Sequence, residues 1–343
     1  MSVGLVYDKA CLQHDMGDCP ERPERLLAII KNLSETGLLA HLVRLPAKMA
    51  TRQELLRNHS ASLISLVEQL AANGGQELDN DTYISEGSFI AARYAAGSAI
   101  NAARAVFDGT CRQVFALVRP PGHHATTRRA MGFCLFNNVA IAAQTVLAEG
   151  WAKRLAIIDF DVHHGNGTAN TFSEDPRVLY ISLHQWPLYP GTGDWRETGA
   201  GAGRGYTVNI PLPPHTGAAG YRRAFDEIVK PVLFRFRPEM LLVSAGYDAH
   251  WADPLADMLL SDAAYAELTT KLLVWANELC AGRLVFVLEG GYHLEALTGG
   301  VAATISSLLG LPYTDVLGPS RVHETDIGDL PVRISAWHGV LPS

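Results

Sequence analysis

Three residues able to hold a metal or a proton stand at alternate positions in one short stretch. It reads Leu155-Ala-Ile-Ile-Asp-Phe-Asp-Val-His-His-Gly-Asn-Gly167. In an extended chain, residues two apart point to the same side. Asp159, Asp161 and His163 therefore converge where glycines let the backbone turn away. A polar strand exit with capping residues is the competing reading. A distant residue weighs against it: Asp248 follows Ser244-Ala-Gly-Tyr after another apolar run and completes a His/Asp/Asp set with Asp161 and His163. Catalytic zinc takes three protein ligands and keeps one position open. The same oxygen and nitrogen donors also accept iron, cobalt or manganese. Asp159, two residues before a ligand, is better suited to orient a neighbour.

Two further features supply proton chemistry. His123 and His124 follow Pro-Pro-Gly, and a tandem imidazole pair can exchange a proton near neutral pH. Asp159 is the carboxylate that would raise a histidine's basicity. Tyr292 follows two glycines, which let the backbone approach a ligand. It is either a core tyrosine with its hydroxyl satisfied or a donor to an oxyanion. The stretch Gly199-Ala-Gly-Ala-Gly-Arg-Gly205 imitates a nucleotide loop, but it precedes a strand instead of opening a helix after one. It is read as a flexible surface loop. His59, His215 and His250 lack partners in sequence and are read as loop or surface histidines.

The elements that must position these residues follow from periodicity. Val3–Tyr7, His41–Leu45, Val114–Val118, Leu155–Ile158, Val178–Leu183, Thr207–Ile210, Met240–Val243 and Leu284–Leu288 are short apolar runs with strand character. Helical patterns fall after Pro23, over residues 51–73, and at Ser88–Phe107, Asn138–Glu149, Tyr221–Phe236, Asp262–Ala281 and Leu294–Leu309. Residues 78–86 read as a polar loop. Strands alternating with helices imply βαβ units, right-handed crossovers and a mainly parallel sheet of about eight strands. The chemistry-bearing clusters each follow a strand, and parallel sheets bind ligands outside the carboxyl ends of their strands. No linker or repeat interrupts the pattern. One α/β domain over residues 1–343 is expected, its motifs within about 1–310 and its tail, 312–343, irregular.

The chain has 343 residues, 48% of them hydrophobic, which is ample for a large core. Its net charge of −7 argues against nucleic acid as a partner. There is no run of eighteen apolar residues, so no membrane span is indicated. Cys11, Cys19, Cys111, Cys134 and Cys280 show no Cys-x-x-Cys pair, which fits reduced thiols and a cytoplasmic setting. Oligomeric state is open.

Taken in order, the motifs resemble the zinc-dependent histone deacetylase and acetylpolyamine amidohydrolase superfamily. The resemblance rests on Glu21-Arg-Pro-Glu-Arg-Leu26, Arg119-Pro-Pro-Gly-His-His124, Gly132-Phe-Cys-Leu-Phe-Asn-Asn-Val-Ala140 and Asp159-Phe-Asp-Val-His-His-Gly-Asn-Gly-Thr168. Tyr180-Ile-Ser-Leu-His184, Ser244-Ala-Gly-Tyr-Asp248 and Leu288-Glu-Gly-Gly-Tyr292 extend it. Asn166, where class I members carry aspartate, looks like the class II branch and its bacterial relatives. The resemblance implies the arginase/deacetylase fold and an enzyme that hydrolyses an N-acetyl amide on a lysine-like side chain. It implies one Zn2+ on Asp161, His163 and Asp248, His124 as the base, His123 paired with Asp159, and Tyr292 on the oxyanion. It implies Phe133 and Tyr189 as aromatic walls of a substrate tunnel, with Gly132 and Gly291 along it, Asp81 at the rim and Arg25 deep beneath. One or two structural K+ are also implied: an inner site from Asp159, Asp161, His163, Ser182 and Leu183, and an outer one from Phe172, Asp175, Val178 and Tyr206. Leu255 stands where polyamine-selective relatives place an acid. The substrate this implies is an acetylated lysine peptide or protein; an acetylated small amine is the alternative, and a non-catalytic acyl-lysine binding module is the alternative of another class.

Overall fold

The computed structural model describes residues 2–339. The chain opens with strand β1 (Val3–Val6), helix α1 (Glu24–Glu35), β2 (Val43–Leu45), α2 (Arg52–Leu55) and α3 (Ala61–Ala72). A hairpin, β3 (Gly75–Asp79) and β4 (Thr82–Ser85), leads into α4 (Ser88–Phe107), β5 (Gln113–Ala116) and α5 (Asn138–Ala148). Next come β6 (Leu155–Asp159), α6 (Asn166–Phe172), β7 (Val178–Gln185) and β8 (Thr207–Leu212). A π-helical stretch, Phe225–Val229, joins α7 (Ala218–Ala224) to α8 (Lys230–Phe236). The chain continues through β9 (Leu241–Ala245), α9 (Asp262–Cys280), β10 (Leu284–Leu288), α10 (Leu294–Leu309) and α11 (Leu330–Trp337).

Eight strands form one parallel sheet in the order β2-β1-β5-β10-β9-β6-β7-β8. Both faces are covered, which is why the strands read as continuous apolar runs instead of alternating ones. Phe115, Ala156 and Ile158 pack into one core layer, while Val114, Leu155 and Ile157 pack into the other. Strands β6 and β9 are neighbours, yet the chain leaves β6 for β7 on one side and leaves β9 for β10 on the other. That divergence opens a crevice at their carboxyl ends, where open α/β sheets bind ligands. The fold is the expected single α/β domain.

Four local expectations are corrected. Residues 78–86 are not a loop: β3 and β4 pair antiparallel, with Ile84 fully buried. The strand expected at His41–Leu45 is only three residues long, and His41 belongs to a 3-10 turn. The helical pattern over 51–73 is two helices, divided at Ser60, whose hydroxyl caps α3 by accepting from Leu63 N. The tail is not wholly irregular: α11 packs through buried Ile334, and Ser335 Oγ donates to Glu227 O at 3.0 Å.

Candidate active site

Metal-competent atoms of Asp161, His163 and Asp248 all lie within 4.8 Å of one another. Asp161 and His163 come from the loop after β6, and Asp248 from the loop after β9. His163 Nδ1 is 3.2 Å from Asp161 Oδ1 and 3.2 Å from Asp248 Oδ2. Backbone amides aim the remaining oxygens: Asp248 Oδ1 accepts from Val162 N at 3.0 Å and Asp161 Oδ2 from Gly290 N at 2.8 Å. Asp248 Oδ2 is buried without a well-directed hydrogen bond, a state that costs free energy unless something positive sits there. Two glycines make room for it. A Cβ on Gly246 would stand 2.2 Å from Asp161 Oδ2, and one on Gly290 would stand 2.1 Å from Asp248 Oδ2.

Electrostatics agree with that reading. Burial favours neutral Asp161, but His123 and His163 beside it hold its carboxyl well below the usual range. Asp248 is pushed up by burial and by Asp161. Burial opposes charge on His163, yet the Asp161 and Asp248 carboxylates beside it carry its imidazole up to about 10. The histidine between the two buried carboxylates thus keeps its proton and supplies the positive charge they need. A divalent cation would replace that proton and satisfy Asp248 Oδ2, so the donor set fits zinc or another borderline metal.

The tandem histidines are driven apart in protonation. His123 Nδ1 lies 3.0 Å from Asp159 Oδ2, which also accepts from Tyr180 OH at 3.0 Å. Burial opposes charge on His123, but Asp161 and Asp159 outweigh it and raise its pKa well above the ordinary value. His124 is held well below by burial, then by charge on His123 and His163. Its Nδ1 faces Asn166 Oδ1 at 2.8 Å. An amide oxygen only accepts, so Nδ1 carries the proton and Nε2 keeps its lone pair. With ring centroids 4.0 Å apart, one imidazole is charged and the other is a free base. Such divergence marks acid and base assignments.

Tyr292 arrives from the loop after β10. Burial, the largest effect, keeps its phenol well above its ordinary pKa, so it is a neutral donor. The Arg25 guanidinium lies 4.9 Å from its ring centroid, and the Phe133 ring 5.7 Å away. Buried Arg25 donates to Gly291 O at 2.7 Å and to Glu289 O. Tyr189, 38% exposed, stands edge-on 5.1 Å from His124. Gly132 presses on His124, and a Cβ there would meet its ring at 2.5 Å. Asp81 Oδ1 holds Gly132 N at 3.1 Å, and Thr82 Oγ1 holds Phe133 N at 3.2 Å, fixing Phe133 in the left-handed region. Asp81 thus ties the hairpin to the loop bearing Phe133. Leu255 is half-buried, its N donating to Asp253 Oδ1 at 3.1 Å.

The residues implied for potassium fall in two groups. Asp159 and Ser182 are register partners on β6 and β7, beside Leu183, Asp161 and His163. Phe172, Asp175 and Val178 form the turn between α6 and β7, and Tyr206 O accepts from Tyr180 N across it.

Two further buried carboxylates, Glu289 and Asp253, position the site. Glu289 Oε2 accepts from Gly122 N at 2.6 Å and His123 N at 3.2 Å, while its Oε1 accepts from Ser244 Oγ, so one side chain locks the histidine loop to β9 and β10. Asp253 Oδ2 accepts from Tyr292 N at 2.7 Å and His293 N at 3.1 Å, fixing the tyrosine's backbone. The only sequence signal was a carboxylate next to a glycine pair or a proline. Of His59, His215 and His250, expected in loops or at the surface, only His215 is exposed. His59 is buried, its Nδ1 donating to Thr126 O and its Nε2 accepting from Asn137 N, and His250 is buried beside Asp262. Loop histidines can be drawn inward when a backbone group needs a partner. The glycine-rich stretch makes a 3-10 turn before β8 and walls a cavity of about 580 Å³ reaching His164 and Asn166, apart from the proposed ligand atoms.

Comparison with known proteins is consistent with this geometry. Residues 19–308 match the histone deacetylase domain. The chain is 43% identical over 325 residues to a probable deacetylase of Archaeoglobus fulgidus, covering 94% of this chain and 90% of the relative. It is 40% identical to the human polyamine deacetylase HDAC10, covering 93% of this chain and 50% of that one. The crystal structure of the HDA15 HD domain superposes with a TM-score of 0.85 at 39% identity, covering 90% of this chain and 91% of that one.

Proposed function

Since this chain belongs to the histone deacetylase family and is a hydrolase of that family, we propose that it removes acetyl groups from a lysine-like amine by zinc-dependent amide hydrolysis. The observation that carries the reading is the convergence of Asp161, His163 and Asp248 beside an imidazole pair split into one cation and one free base. Zinc held by those three residues would polarise the acetyl carbonyl and acidify a water molecule. His124 Nε2 takes the water proton, with Asn166 keeping the tautomer that makes this possible. His123 stays protonated against Asp159 and adds positive charge beside the reacting carbonyl. The Tyr292 phenol donates to the oxyanion as it forms. His124, now protonated, gives its proton to the departing amine, leaving acetate and free amine.

Phe133 and Tyr189 supply the aromatic walls for the aliphatic stem, Gly132 and Gly291 keep the passage narrow, and Arg25 lines the space beneath. K+ at the two groups of residues described above would brace the loop carrying Asp161 and His163. The protein is proposed to act in the cytoplasm on an acetylated lysine peptide. An acetylated polyamine is the second reading, favoured by the likeness to a polyamine deacetylase and weakened by apolar Leu255. The test is hydrolysis of acetyl-lysine peptides and acetylpolyamines by metal-loaded protein, with metal analysis of Asp161→Ala and His124→Ala. Loss of metal and turnover in the first, and of turnover alone in the second, is expected. Full turnover in either variant refutes the mechanism.

A further inference from the structure

At the opposite edge of the sheet, a second cavity of about 450 Å³ opens where β6, β7 and β8 begin. Arg154, just before β6, Arg204, in the glycine-rich stretch, and Arg235, on α8, all line it. Tyr206 and Phe236 form its aromatic wall, their rings 5.7 Å apart. No aspartate or glutamate lines it, and none of the three arginines forms an ion pair among the described residues. This differs from the neighbouring surface, where Arg177 and Arg196 are each held in a fork by an aspartate two residues earlier. Arg235 spends Nη1 on His338 O at 2.7 Å, Arg154 lies 5.7 Å from the Phe236 ring centroid, and the Arg204 guanidinium makes no hydrogen bond among the described residues, only its backbone N donating to Gly201 O.

A second observation points the same way. Arg204 and Gly205 also border an adjoining cavity of about 340 Å³ with His338. His338 is only 8% exposed, yet neither of its ring nitrogens makes a well-directed hydrogen bond among the described residues, the Gly205 backbone being the polar group beside it. Buried polar atoms are normally satisfied. Like charges gathered without a counter-charge also repel. In a chain of net charge −7, such a cluster is what an anion with several acceptor oxygens requires. Guanidinium forks match phosphate geometry, and three of them call for more than one negative charge.

We infer that this cavity is an anion site for a small phosphate-bearing molecule, remote from the proposed chemistry and built from Arg154, Arg204, Arg235 and His338. Its walls, Pro176 and Tyr206, adjoin Asp175 and Val178. An occupant would brace the turn between α6 and β7 against the strap before β8.

The experiment is titration calorimetry of the full chain with sodium pyrophosphate and with inorganic phosphate, at constant low ionic strength, with chloride as the screening control. One pyrophosphate site is expected, with inorganic phosphate weaker. Arg204→Ser removes a side chain that holds nothing in the fold, and it should weaken pyrophosphate by about tenfold or more, as loss of a charge-assisted bond does. Arg196→Ser, whose guanidinium is already engaged by Asp194, should leave the affinity unchanged. Absence of binding in the parent protein overturns the site, as does equal affinity in Arg204→Ser. Because the readout is binding, the result stands whatever the chain's activity proves to be.

Discussion

Replacing Asn166 by aspartate should move the pH dependence of the reaction in one direction only. In the parent protein a neutral amide oxygen faces His124 Nδ1 at 2.8 Å, and burial with two neighbouring cations holds the imidazole well below its ordinary pKa. An aspartate places a full negative charge about 4 Å from the centre of the ring. At an effective dielectric of about 20 that attraction is worth roughly 4 kcal/mol, or about three pH units. The amide already supplies part of it, so about two units is the expected change. The sign follows from the role: the base works only when unprotonated. Raising its pKa therefore shifts the acid limb of kcat/KM to higher pH, and activity at pH 6 falls more than at pH 8. The assay is kcat/KM against pH for metal-loaded Asn166→Asp and parent protein. A limb that stays in place would falsify the assignment of His124 as the base that Asn166 orients.

Tyr292→Phe should lower kcat by about 10²- to 10³-fold, as loss of an oxyanion donor does, with KM and metal content little changed. Asp253→Ala should cost activity in the parent background but almost nothing further beside Tyr292→Phe, because Asp253 acts by holding the Tyr292 backbone; additive losses in the double variant refute that coupling. Gly290→Ala drives a Cβ to 2.1 Å from Asp248 Oδ2, so the purified variant should carry well under one metal per chain, and full occupancy by elemental analysis contradicts the proposed cradle. His59, buried, has its imidazole lowered from 6.5 to about 4. The unfolded chain then binds the extra proton first, so stability falls as pH drops from about 6.5 towards 4, by about 2 kcal/mol at pH 5. His59→Gln should flatten the urea-unfolding stability between pH 8 and pH 5 by that amount; an unaltered slope rejects the assignment.

Much of this protein was legible in one dimension because its chemistry sits where strands end. Apolar runs buried on both faces located the strands of the parallel sheet, and the helices between them required parallel crossovers. Motif spacing then brought Asp161, His163, Asp248, His123, His124 and Tyr292 to one edge, whereas the contact of His124 with Asn166 was shown by the structure. What the sequence left unread were groups whose roles depend on partners far away in the chain. The β3–β4 hairpin hid among polar residues because its strands pair with each other and only one face is covered. Glu289 and Asp253 look like ordinary carboxylates until folding aims backbone amides at them from loops 167 and 39 residues away. His59 and His250 were drawn inward for the same reason. Arg154, Arg204 and Arg235 are scattered over three distant segments, and only folding, which sets Phe236 of α8 against Tyr206, gathers them around one cavity. Local pattern thus determined most of the elements and the alternation of Asp161 with His163, because both repeat at the period of the backbone. Tertiary structure alone decided which charges meet, because burial and separation set that interaction and neither is written along the chain.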